Sequence, residues 1–325
     1  MANPDPRCFP LIEIEFDQIR ALLSPVLKGA AIVSVERLEG GLVNTIYRIT
    51  PADGGPALCL RVFAAGEFAW ETERKMLARV SAKLPVPDVL LAGCGGSDFS
   101  HPYLVYRWIE GIMLNECRRR TAPAAFLSLA EPLGRLLAGV ASFSCADDLN
   151  DEPNVVHALS SPMESLLSVQ EEMLLRGLAR KRLGDELADA LWRRLEENAV
   201  RLCALDDTAR LVHGDFGGRN ILVAPDEGGC WRVSALIDWE AAFSGSALWD
   251  VGSLFRYHRR YSEIFRQLFE QGYRDAGGTL PEDWFRIARL IDSTRLVETF
   301  NEERELPIVF SECRELIDSV VVEGV

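Results

Sequence analysis

At 325 residues, with 48% hydrophobic and 26% charged side chains, the chain has the size and composition of a globular protein that can bury a sizeable core. Its net charge of −14, from 49 acidic against 35 basic side chains, repels phosphate backbones and argues against nucleic acid as a partner. The start, MANPDPRCFPLIEIEF, lacks the basic-then-apolar pattern of a signal peptide, and no uninterrupted apolar run reaches the length of a membrane span. Eight scattered cysteines with no CxxC pair read as reduced thiols, most of them core filler. A cytoplasmic protein with no membrane partner and no zinc site is expected, as monomer or homodimer.

The first third reads as strands with one helix. AIVSVERL and NTIYRIT are short β-branched runs separated by EGGLV, and ALCLRVF follows the turn signal PADGGP. EFAWETERKMLARVSAKL then sets Phe68, Met76, Leu77, Val80 and Leu84 on one helix face, before two further strands in LPVPDVLLAG and HPYLVYRWIEG. From about residue 122 the pattern turns helical. Leu129, Leu133, Leu136 and Val140 form one core stripe; Leu187, Leu191, Leu195, Ala199 and Leu202 form another. The exception is the segment from Leu211 to Ile237, two or three strands around turns. The fold class is α+β: a small β-rich lobe over residues 1–109 and a large, mainly helical lobe over 110–325.

One stretch of that exception carries chemistry. In LVHGDFGGRNILV, Asp215 follows an apolar run, glycines come next, and Asn220 leads straight into ILV. Eighteen residues after Asn220 a second apolar run, VSALID, ends in Asp238, with Glu240 two positions on. APDEGGC between them is a hairpin turn, so ILV and VSALI are expected to pair and bring Asn220 close to Asp238. A carboxylate and an amide oxygen together form a hard oxygen-donor site suited to Mg²⁺ shared with phosphates. Asp215 beside them could take or orient the proton of an attacking hydroxyl, the division of labour that phosphoryl transfer requires. Read alone, Asp215 could instead be a turn residue bonded to its own backbone.

HGDFGGRNILV…ALIDWE resembles the catalytic loop and metal-binding segment of the aminoglycoside phosphotransferase and choline kinase family, relatives of the protein kinases. Upstream, LEGGLVNTIYRIT resembles the family's glycine-containing nucleotide loop and CLRVF its strand with the basic phosphate contact. ETERKML resembles the helix with the paired glutamate, and YLVYRWIEG the hinge. SALWDVGSLFR resembles the family's Asp-containing helix start, so the resemblance runs from about residue 35 to 256, in order. It implies a protein-kinase-like bilobal fold that binds ATP or GTP with Mg²⁺. Gly40, Gly41, Asn44, Arg61, Glu73, Tyr106 and Trp108 would contact the nucleotide, Asn220 and Asp238 the metal, and Asp215 would be catalytic. Tyr106 and Trp108 could equally be core residues, and Arg61 with Glu73 a lone surface pair. His213 is expected to hold the loop, and Asp250 to cap its helix or anchor the catalytic loop.

Three departures bear on mechanism. Arg61 stands where the family usually has Lys, and an arginine, permanently charged and forked, can still hold phosphates and pair with Glu73. Gly217 stands where many family loops have histidine. Only eleven residues separate Asp238 from Asp250, which leaves no room for a protein kinase's activation segment. The expected reaction is therefore phosphorylation of a small, cationic, aminoglycoside-like molecule, with Glu240, Glu298 and Glu302 (and Glu303) as an acidic acceptor wall; those C-terminal acids read equally as a solvated helix face. A metabolic kinase for choline, homoserine or a sugar derivative, and a catalytically silent nucleotide-binding module, are the alternatives.

Overall fold

The structure, a computed structural model, describes residues 9–39, 41, 43–96, 99–144, 162–208 and 210–323. Packing divides the chain into two compact units: Met1–Leu114 with Ile221–Ala241, and Asn115–Asn220 with Ala242–Val325. This differs from the single boundary after residue 109 expected from sequence, because the segment 221–241 packs with the N-terminal residues.

The first unit is built on an antiparallel sheet in the order β1-β2-β3-β5-β4: β1 (Ile32–Arg37), β2 (Thr45–Pro51), β3 (Leu58–Val62), β4 (Val89–Gly93) and β5 (Tyr103–Arg107). Alternation decides its faces: Tyr47 and Ile49 of β2 and Leu58, Leu60 and Val62 of β3 enter one core cluster. That cluster is covered by a helix the strand-rich reading missed, α1 (Phe16–Leu27), which contributes Ile19, Leu23 and Leu27 at four-residue spacing. Helix α2 (Glu67–Val80) packs on β4 and β5. Met76, Leu77 and Val80 face inward as expected, but Phe68 is exposed, and the buried face instead includes Thr72 and Glu73.

A second sheet explains the unit boundary. In it the two-residue β6 (Ile112–Met113) pairs with β8 (Ile221–Pro225), and β8 with β9 (Trp231–Leu236). The predicted hairpin is thus present, with Ile221 opposite Leu236, and the Leu236 amide donates to the Pro85 carbonyl at 2.8 Å.

Among its described residues the second unit is helical apart from β7 (Arg210–Val212) and β10 (Phe243–Gly245), an antiparallel pair. Its helices include α3 (Leu114–Arg120), α4 (Pro123–Leu127), α5 (Ala130–Ala141), α6 (Met163–Leu175), α7 (Leu178–Leu183), α8 (Asp185–Glu197), α9 (Ala199–Cys203), α10 (Leu248–Phe255), α11 (Glu263–Asp275), α12 (Trp284–Thr299) and α13 (Pro307–Val322). Each long helical stripe is interrupted once, at Ser128–Leu129 and at Asn198. The stretch Pro123–Ala141, mean hydropathy 1.3, is long and apolar enough to cross a membrane. Half of it is buried, it packs against α11, and it carries the Arg135–Glu131 pair, the marks of a core helix. Of the six described cysteines, all unpaired, only Cys117 and Cys313 are buried and Cys94 and Cys230 are exposed, so fewer are core filler than expected.

Helices α5 and α11 meet through glycines. A Cβ at Gly134 would lie 2.1 Å from the Phe269 carbonyl oxygen, and one at Gly272 2.2 Å from that of Glu131. Backbone atoms cannot rotate away, so Gly272→Ala must push the helices apart. We expect a loss of about 1–3 kcal/mol, the usual cost of overpacking. Chemical denaturation checks it, and an unchanged midpoint would contradict this account of the crossing.

Candidate active site

The residues singled out in the sequence fall into two clusters, one in each unit. In the first, Arg61 projects from β3, where it sits between Ile46 and Leu104, and its guanidinium is almost wholly buried. Its Nη2 lies 3.2 Å from Glu73 Oε2, 2.6 Å from Asp238 Oδ1 and 2.9 Å from Glu240 Oε2. The Arg61–Glu73 pair is therefore a buried contact and not a surface one. Asp238 lies two residues past β9 in a left-handed conformation, φ 72°, uncommon for a side chain other than glycine. Asn44 closes the cluster: its Nδ2 donates to Glu240 Oε2 at 2.7 Å, and its Oδ1 accepts from the Ala64 amide at 3.3 Å.

Burial dominates the electrostatics here. It pushes the Glu73 carboxyl up to about 7, opposed by the Arg61 charge and reinforced by that of Asp238, while a 2.7 Å hydrogen bond from the Tyr106 hydroxyl pulls it back. Tyr106 is itself held well above its ordinary range by burial and by Glu73. Its side chain is thus part of this cluster. Trp108 lies under the Arg48 guanidinium, 4.7 Å from its ring centre, and its backbone amide donates to the Ala57 carbonyl at 2.8 Å. Gly40 falls outside the described residues; Gly41 lies in the loop between β1 and β2.

The second cluster is the loop after β7. The Asp250 carboxylate on α10 accepts from the His213 amide at 2.7 Å and the Gly214 amide at 2.9 Å, so Asp250 is an anchor for the loop. Gly214 turns with φ 86°, which a residue without Cβ tolerates. His213 is fully buried and its Nδ1 accepts from the Asp215 amide at 3.2 Å, a holding role. Asp215 itself is exposed. Asn220 donates through Nδ2 to the Asp215 carboxylate at 2.7 Å and to its carbonyl at 2.9 Å, which leaves the amide oxygen as the atom for a cation. A Cβ at Gly217 would meet only Asp215 Oδ1 at 3.6 Å and Ser253 Oγ at 3.8 Å, ordinary contacts, so the glycine is not sterically required.

Two further parts of this loop's support were not foreseen. Arg295 of α12 donates to the Gly214 carbonyl while lying over the rings of Trp249, at 5.0 Å, and Phe243, at 5.6 Å. Arg256 at the end of α10 forms a bidentate pair with the buried Asp292, at 2.9 and 2.8 Å. A charged residue on the buried face of α12 was the available signal for both. Of the expected acceptor wall, Glu298, Glu302 and Glu303 are exposed in the second unit, whereas Glu240 belongs to the Arg61 cluster.

Comparison with known proteins bears on both clusters. The model of the phosphotransferase enzyme family matches residues 34–290. Among curated proteins, the chain is 24% identical over 205 residues to hygromycin-B 4-O-kinase of Escherichia coli, covering 62% of this chain and 56% of that one. It is 28% identical over 181 residues to viomycin phosphotransferase of Streptomyces vinaceus, covering 55% and 58%. The chain thus spans little more than half the length of these relatives. The crystal structure of aminoglycoside phosphotransferase APH(4)-Ia is similar at a TM-score of 0.67 and 19% identity, over 96% of this chain and 100% of that one. A thermostable mutant of it in complex with AMP-PNP and hygromycin B matches at 0.64 and 20%, over 94% and 99%. At such identities these likenesses establish the fold.

The Asp250 anchor has a pH signature. Burial pushes its carboxyl up to about 7, although the hydrogen bonds from His213 and Gly214 and the charge of Arg295 oppose this. The folded pKa lies above the unfolded value, so the folded state holds the proton more tightly, and stability from this group is lost as pH rises between the two. We expect the stability of the wild type relative to Asp250→Asn to fall between about pH 4 and 7. Denaturation of both proteins across that range tests it; a flat difference would show that Asp250 titrates normally.

Proposed function

Because the chain belongs to the phosphotransferase enzyme family, we propose that it is a small-molecule kinase that moves the γ-phosphate of ATP or GTP to a hydroxyl of an antibiotic-like acceptor. The observation that carries this is Asp215: an exposed carboxylate on a loop whose amides and carbonyl are fastened from behind, with an amide side chain bonded to it. Such a group can orient the acceptor hydroxyl and receive its proton as the new O–P bond forms and the bond to the leaving nucleoside diphosphate breaks. Asp238 and Asn220 are the residues that would hold Mg²⁺. Their register supports this: Asn220 adjoins Ile221, which pairs with Leu236, two residues before Asp238. When bound, the metal neutralises charge on the transferring phosphates. Arg61 is the residue for phosphate contact, and the contacts of Glu240 support a place beside it instead of at the acceptor. The relatives' names, hygromycin-B kinase and viomycin phosphotransferase, support an antibiotic acceptor.

Asp215→Asn should lower phosphate transfer by about 10²–10⁴-fold while nucleotide binding stays near that of the wild type. Labelled-phosphate transfer to a panel containing hygromycin B, viomycin and kanamycin measures the first, and fluorescent-nucleotide titration the second; undiminished turnover would remove Asp215 from catalysis. Asp238→Ala should lose metal-dependent nucleotide affinity and transfer together, and Asn220→Ala less so, since a neutral amide attracts a divalent cation more weakly. Equal metal dependence in wild type and Asp238→Ala would overturn that assignment.

A further inference from the structure

Three carboxylates share one nitrogen of Arg61. Glu73, Asp238 and Glu240 each offer an oxygen within 4.8 Å of the others, and the nitrogen among them is Nη2. One positive charge faces up to three negative ones. The arrangement is also imperfect as hydrogen bonding: among the described residues, Arg61 Nε and Glu73 Oε2, both buried, have no hydrogen-bond partner. The deficit has a direction. The Glu73 side chain is 1% exposed, whereas Asp238 and Glu240 are 32% and 19% exposed.

We propose that Arg61 is the built-in counterion of Asp238 and Glu240, and that a divalent cation enters this site only by displacing it. The inference rests on the reading of Asp238 as a metal ligand. A guanidinium nitrogen 2.6 Å from Asp238 Oδ1 fills the space a cation bound to that oxygen would need, since Mg²⁺ takes its ligands at about 2.0–2.1 Å, and Glu240 Oε2 at 2.9 Å holds the nitrogen there. The two occupants exclude each other sterically and compete for the same charge. Displaced, Arg61 still has Glu73, and bound nucleotide phosphates offer the anionic partner it loses. Cation and nucleotide therefore bind together, and free cation alone binds poorly. The arginine is what makes the plug: its forked head extends beyond the point a lysine ammonium reaches, so it can meet carboxylates on β9's exit while its stem stays on β3.

The test uses Mn²⁺ alone, without nucleotide or acceptor, titrated into the full chain and followed by electron paramagnetic resonance. Relative to wild type, Arg61→Gln should bind Mn²⁺ about tenfold more tightly, a coupling of ordinary size. Arg61→Lys, which keeps a cation for buried Glu73 and so guards against misfolding, should fall between the two. Adding Asp238→Asn should abolish the gain in either background. If neither Arg61 variant binds more tightly than wild type, Arg61 is not a competitor, and the metal role of Asp238 stands or falls separately on its nucleotide dependence. A gain that survives Asp238→Asn would place the cation elsewhere and overturn both the displacement and the ligand assignment.

Discussion

A guanidinium with almost no access to water has to be neutralised where it lies, because the desolvation of an unpaired charge would outweigh much of the marginal stability of a domain. Arg61 imposes that condition on the first unit. It brings together a strand residue at 61, a helix residue at 73 and two residues at 238 and 240 that follow a hairpin far along the chain. Segment 221–241 accordingly packs with the N-terminal residues, and Asp238 adopts a left-handed backbone at its end. Even the loop after β1 is recruited, through the amide of Asn44 on Glu240.

The second unit solves the opposite problem. The loop after β7 exposes the Asp215 carboxylate while its backbone is held in place. The solution uses backbone groups: two amides on Asp250, one carbonyl on Arg295, and the Asp215 amide on His213. Gly214 at φ 86° lets consecutive amides reach one carboxylate. Arg295 can sit there because aromatic faces of Phe243 and Trp249 accommodate its charge where water is scarce.

How legible this was follows from where each signal resides. The strands of the first sheet and the hairpin that pairs ILV with VSALI follow from local alternation and turn residues, and they agree with the structure. Helix α1 carries an equally local signal in Ile19, Leu23 and Leu27, but proline at 25 and the strand-like neighbourhood masked it. The unit boundary depends on long-range contacts that no local pattern encodes, β6 with β8 and the Leu236 amide with Pro85, 151 residues apart. Arg295 and Arg256 are harder to place for a related reason: a charged residue on the buried face of α12 signals a partner without identifying it, and the Gly214 carbonyl and the Arg256–Asp292 pair appear only in the structure.

Glu240 is bonded to Arg61 in the first unit, which leaves fewer acids for the second unit's surface. The carboxylates left in the second unit's expected wall are Glu298, Glu302 and Glu303, all exposed. Exposed carboxylates are screened within about 8–10 Å at ordinary ionic strength and contribute steering more than held ion pairs. A held ion pair needs a fixed geometry, and Arg182 supplies one for residues 300–305. Its Nη1 donates to the carbonyls of Phe300, at 2.7 Å, and Glu302, at 2.5 Å, its Nη2 meets Glu305 at 2.6 Å, and its guanidinium lies 4.6 Å over the Phe310 ring. One side chain thus ties the backbone of 300–302 to the start of α13, so that Glu302 and Glu303 lie in a braced turn while Glu298 stands on the last turn of α12. Net charge is a property of the whole surface; the bracing of that turn says where its charges are held still.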